Sequence, residues 1–262
     1  MKRITILSAL LALFSAGPAA AETIRLITPY TGYLTNKYAS SSLELKDTGE
    51  MNGLYAQWID TDKFQANIFY YRAPNVNYSL VNGLHLNADY YLLPTKAGKY
   101  AVGAGMENLY ISLSAGNNIP GQRLFDMDNE VLFCYVRGGR YFYFKKDKVD
   151  LSVMPYAGLA RESVNGDLIM ERVANNPSVT VSLDDKAGYG LLGLNIDAVF
   201  AHFLQVQAKW MGRYNAGERL DEYSLMANIF VSRHWGLSYR YKYMEYNSES
   251  NEYNLFGVAY SF

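Results

Sequence analysis

The chain has 262 residues, of which 50% are hydrophobic, 15% aromatic and 19% charged, with a formal net charge of −1. That balance gives no polyanion-binding surface of the nucleic-acid kind. A single cysteine (Cys134) excludes an internal disulfide, and three dispersed histidines (His85, His202, His234) give no zinc-type spacing.

At the start of the chain, Lys2 and Arg3 precede a short apolar stretch, Ile4 to Phe14, and Ala19-Ala20-Ala21 offers a cleavage site before Glu22. This pattern predicts an export signal over 1–21 and a mature domain over 22–262. No later apolar run reaches eighteen residues, so no transmembrane helix is expected. Alternating segments recur instead. Thr23–Tyr33 is the first, with Ile24 and Leu26 on one face and Arg25 on the other, and a polar loop over 35–50 leads to Leu54–Trp58. A turn at 61–63 enters Phe64–Tyr70, and a loop over 73–78 precedes Leu80–Leu92. In that segment Leu84, Leu86, Ala88, Tyr90 and Leu92 share one face, while His85, Asn87 and Asp89 share the other, as a pleated strand requires.

A turn at 94–98 leads to Tyr100–Tyr110, and a long loop is expected over 112–129. In Val131–Phe144 the pair Gly138-Gly139 suggests a bulge that resets the parity, so its faces stay unassigned. The turn 145–148 opens Val149–Ala157, followed by the longest expected loop, 161–186. Gly190–Phe200 and Leu204–Gly212 form a hairpin about 201–203. After a loop over 214–221, Tyr223–Val231 and Trp235–Tyr243 form another about 232–234.

The last segment, Glu252 to Phe262, places Phe256, Val258, Tyr260 and Phe262 on one face and Gly257, Ala259 and Ser261 on the other. It resembles the closing strand of bacterial outer-membrane β-barrels, whose terminal phenylalanine and alternating apolar positions act as the assembly signal. The resemblance implies an all-β, closed antiparallel transmembrane barrel in the outer membrane of a Gram-negative bacterium, with both termini periplasmic. Its expected partners are outer-membrane lipid and lipopolysaccharide, the barrel-assembly machinery and small solutes. The tally of about twelve strands, with short turns alternating with long loops, fits that architecture. The wealth of tyrosine (24 residues) suits a membrane interface, because the ring is apolar and the hydroxyl wet.

Chemical motifs are few, and no cofactor or metal is expected. Gly188-Tyr-Gly-Leu-Leu-Gly193 has the dinucleotide spacing, but it runs into a period-two strand where that fingerprint has no meaning. Asp126-Met-Asp-Asn-Glu130 lacks the glycine and spacing of a calcium loop. His85 beside Asn87 and Asp89 admits a hydrolase reading; a hydrogen-bonded lumen histidine is the plainer one. The inward faces carry the more specific expectation. Acidic positions (Asp89, Glu107, Asp150, Asp197) and basic ones (Arg25, Lys209, Arg213, Arg240, Lys242) fall on opposite arcs. A basic stripe of this kind lines narrow anion-conducting pores; alternatively, the same side chains pair across a filled interior. In architecture the chain resembles the narrow twelve-stranded channels for acidic sugars, with no motif tying it to them.

Overall fold

The computed structural model describes residues 23–39, 44–60, 63–76, 79–95, 98–116, 123–170, 179–201, 203–246 and 249–262. The expected signal segment and His202 lie outside them. Twelve antiparallel strands close into one barrel: β1 (Thr23–Ala39), β2 (Glu44–Asp60), β3 (Phe64–Val76), β4 (Ser79–Thr95), β5 (Gly98–Gly116), β6 (Arg123–Lys146), β7 (Val149–Met170), β8 (Val179–Phe200), β9 (Leu204–Asn215), β10 (Glu218–Phe230), β11 (Trp235–Tyr246) and β12 (Glu249–Ser261). Each strand pairs with its sequence neighbour, and β12 closes on β1. Closure leaves no sheet edge with unpaired backbone groups, which is what lets strands cross lipid. The start of β1, the end of β12 and the tight turns at 147–148 and 231–234 share one end, called here the turn end.

The two faces separate cleanly. Outward positions form an apolar band: Leu84 to Leu92 on β4, Leu151 to Leu159 on β7 and Leu192 to Phe200 on β8, taken at every second residue. Each run covers about nine residues, the length a tilted strand needs to cross the hydrocarbon layer. Aromatic residues edge the band. Trp235, Tyr260 and Phe262 cluster at the turn end, with ring centroids 4.7 and 5.8 Å apart. At the far end, Trp210 donates through its indole Nε1 to Asp221 (3.0 Å). Polar residues that can reach water, Arg72, Asn108, Glu130 and Arg161, mark the same boundary. Phe256, Val258, Tyr260 and Phe262 all belong to this outward face.

Three expectations change. The long loops are largely strand: β5 runs to Gly116, β6 starts at Arg123, and β7 and β8 extend to Met170 and from Val179. Asp126 to Glu130 therefore lies in β6, not in a loop. Above the band the polarity inverts without any slip of register. The outward side carries hydrogen-bonded polar pairs, Asn108–Glu130 (2.7 Å), Tyr110–Asp128 (3.0 Å) and Ser182–Asp167 (2.8 Å), while Leu109, Ile111, Val131 and Val164 turn inward. Outside the membrane water faces the outer wall, so the apolar side moves inside. Second, Gly138-Gly139 makes no bulge. The β5–β6 register runs unbroken from Gly98↔Phe142 to Ala115↔Phe125, and on the β7 side Gly139↔Tyr156 and Phe142↔Val153 keep one register. β6 thus keeps one parity, with Phe133, Tyr135, Arg137 and Tyr141 buried. Third, Arg25 faces outward. It pairs in register with Trp58 and lies over that ring at 5.2 Å, on the opposite face from buried Leu26, Thr28 and Tyr30.

Candidate functional site

The barrel interior is the candidate site, and side chains fill it. On the β1–β3 side Tyr30, Met51, Tyr55, Phe69, Tyr71, Tyr253 and Leu255 form an apolar mass. It reaches across the lumen: Phe69 on β3 meets Tyr253 on β12, ring centroids 5.9 Å apart. One hydroxyl is tied to polar side chains beside the mass: Tyr30 bonds Ser238, which donates to Asn228. A second cluster joins Phe133 and Tyr135 to Tyr189, Leu191, Met211 and Leu220. Near the turn end, Tyr91, Tyr141 and Tyr143 surround the Lys99 ammonium, which lies 3.1 Å from the Tyr91 ring centre.

Glycines opposite these rings make the filling possible. A Cβ on Gly105 or Gly193 would collide with the Tyr135 or Tyr156 ring lying against it. Gly193 belongs to the Gly188–Gly193 run, and its role there is to seat a ring, in line with a strand and not with a nucleotide loop.

Between the apolar masses lies a charged layer. Arg137 holds Asp89 through two bonds, Nε to Oδ1 (3.0 Å) and Nη2 to Oδ2 (2.7 Å), and reaches Asn87 at 3.4 Å. Lys242 donates to Glu107 (3.1 Å) and to Glu222 (3.2 Å). Arg213 spans Glu222 (3.2 Å), Glu162 (3.4 Å) and Glu107 (3.8 Å), with its guanidinium 3.6 Å from the centre of the Phe133 ring. Arg240 lies over Phe69 (4.2 Å) and Tyr55 (4.8 Å). These bonds join β4 to β6 and β7 to β9 along the wall, and Lys242–Glu107 joins β11 to β5 on opposite sides of the bore. Lys242, Arg213 and Arg137 are 3%, 4% and 7% exposed.

The structure brings together most of the expected inward residues. His85, Asn87, Asp89, Glu107, Asp197, Lys209, Arg213, Arg240 and Lys242 all have inward parity. Asp150 also has it but stands at the turn-end mouth, paired with Lys145 (3.3 Å) and half exposed. Arg25 is not in the lumen. The separation into a basic and an acidic arc does not hold: Arg137 stands among the acids, and Glu222 on β10 between the basic strands β9 and β11. The catalytic grouping around His85 is not assembled either, because Asn87 and Asp89 are turned to Arg137. Sequence reading missed Arg137, Glu162, Glu222 and Lys99. Arg137 sat in the segment of unassigned parity and Glu162 in an expected loop. Glu222 and Lys99 flanked the predicted strands, and extending the alternation by a step or two would have found them.

No protein-family model matches the chain, and no curated protein matches it. Solved structures do. The translocator domain of the autotransporter NalP from Neisseria meningitidis aligns with a TM-score of 0.54 at 17% identity, covering 100% of this chain and 95% of that one. The transport unit of the autotransporter AIDA-I from Escherichia coli aligns at 0.53 and 11% identity, covering 98% and 97%. The β domain of the Bordetella autotransporter BrkA aligns at 0.52 and 16% identity, covering 92% and 99%. The fold is that of a bacterial outer-membrane β-barrel.

Proposed function

We propose that this chain is an outer-membrane barrel that is closed at rest, a structural element of the membrane. Its β5–β8 wall stands clear of the lipid as a surface for interaction. One observation carries the reading: the Lys242–Glu107 pair crosses the bore from β11 to β5, Arg213 approaches Glu107 from β9, and both cations are almost wholly buried. A conducting pore keeps its lining charges hydrated, whereas these are spent on one another. With the turn end in the periplasm, the extended wall is the outward-facing part, and its outer side is polar and acidic. No catalytic role is assigned to His85.

A narrow solute channel is the second reading. It is favoured by the polar belt of Gln57, Asn67, Asn195, Gln207 and Asn228 that continues past the ion pairs, more polar surface than a solid core needs. Conductance in a planar bilayer separates the two. The closed reading expects no sustained steps from the protein, and steps once Lys242 and Arg213 are replaced by alanine. Steady steps from the unaltered protein, shifting from anion toward cation selectivity in Arg240→Glu/Lys242→Glu, would establish the channel instead.

A further inference from the structure

Across adjacent strands the register sets Asn195 (β8) beside Lys209 (β9), Lys209 beside Ser224 (β10) and Ser224 beside Lys242 (β11). One step along, Met226 pairs with Arg240. Lys209, Ser224, Arg240 and Asn195 open, together with His85 from the opposite wall, into an internal chamber of about 50 Å³.

The charges round this chamber are served unequally. Arg137 is neutralised by Asp89. Lys242 and Arg213 share Glu107, Glu162 and Glu222, and Glu222, the carboxylate on the chamber wall, is already bonded to both. Among the described residues, neither Lys209 nor Arg240 has a carboxylate within 4 Å. Arg240 rests on two aromatic rings instead. Asp197, diagonal to Lys209, makes no such pair either and lies off the chamber wall. Two cations therefore line a partly enclosed space, and Asp197, the carboxylate nearby, pairs with neither. Enclosing a cation away from water without a counter-charge is costly. The same space receives two buried polar atoms that have no partner, His85 Nε2 and Asn195 Oδ1. In the tautomer protonated at Nε2, His85 is a donor, whereas Asn195 Oδ1 is an acceptor.

We propose that the chamber holds a small inorganic anion, of the size class of chloride, bound by Lys209, Arg240 and the Ser224 hydroxyl, with His85 Nε2–H closing the shell. The volume sets the class. A water needs roughly 10–15 Å³ by this measure, so about 50 Å³ takes one small ion with a few waters and no sugar. The anion is a resident counter-ion, enclosed when the barrel closes. The proposal rests on the lumen being closed, and its test is chosen to succeed or fail separately from the conductance result.

The full protein, extracted from membranes, is refolded at equal ionic strength in sodium gluconate, whose anion is too large for the chamber, or in sodium bromide. Crystals grown in bromide are examined by anomalous scattering. The expected result is a bromide peak between Lys209, Ser224 and Arg240, and an unfolding midpoint that rises with the logarithm of bromide concentration. That rise should vanish in Lys209→Gln and persist in Lys99→Gln, which alters a cation outside the chamber. A chamber with no anomalous peak, containing waters alone with Lys209 swung onto Asp197, overturns the proposal. So does a midpoint that responds to bromide equally in the unaltered protein and in Lys209→Gln. If Lys209→Gln fails to fold, the anomalous map of the unaltered protein decides alone.

Discussion

At the scale of single residues, the interior depends on charges that have no other recourse. Lys242 is 3% exposed and bonded to two carboxylates. Lys242→Met leaves Glu107 and Glu222 buried with less compensation, and removing one partner of such a buried pair costs about 3–5 kcal/mol. The measurement is the temperature at which the folded form is lost on unheated gels, which should fall markedly. Lys145→Met, at an exposed pair on the turn-end mouth, should leave it unchanged. A Lys242→Met protein as heat-resistant as its parent would show that the network fills space without holding the barrel. The residue scale is also where sequence reading fell short. Parity alone placed His85, Asp89, Glu107 and Lys242 inward, because each lies on the face opposite the apolar positions of its strand. It could not say that Asp89 would be taken by Arg137, because the partner lies on β6, two strands away.

At the scale of strands, β5 to β8 are the distinctive part. Their lower halves carry apolar residues at one parity and their upper halves at the other, as in β7, where Val153, Ala157 and Leu159 give way to Val164 between Ser163 and Asn165. A reader of periodicity sees that phase change as the end of a strand, and for this reason the loops over 112–129 and 161–186 were expected too long. The pattern was visible; its cause, a change of solvent along one continuous strand, was not. The band could be read because lipid imposes one rule over its whole height. The phase change gives a labelling prediction. In a Cys134→Ser background, Asn165→Cys should react on intact cells with a membrane-impermeant maleimide, whereas Leu159→Cys, on the same face but within the band, should not. Equal labelling at both positions would put the membrane boundary elsewhere and remove the raised wall.

At the scale of the whole molecule, twelve strands enclose a bore that their own side chains fill, and the filling joins parts of the chain that are far apart in sequence. Lys242 and Glu107 are separated by 135 residues, and Tyr30 and Ser238 by 208. None of these bonds can be made inside one hairpin. While hairpins form one after another, Lys242 and Glu107 stay apart and hydrated, and they meet only when β12 closes on β1. Closing the wall and drying the interior are therefore one event, and it comes late. Non-local pairing of this kind slows folding, because the loop entropy is lost before the contacts that reward it exist. Refolding into detergent should accordingly show one slow phase, in which the compact gel form and buried-tyrosine fluorescence appear together. Lys242→Met should accelerate unfolding and leave the refolding rate nearly unaltered, since the bond it removes forms after the barrier. A compact intermediate appearing before the fluorescence change would mean that the wall closes around water first.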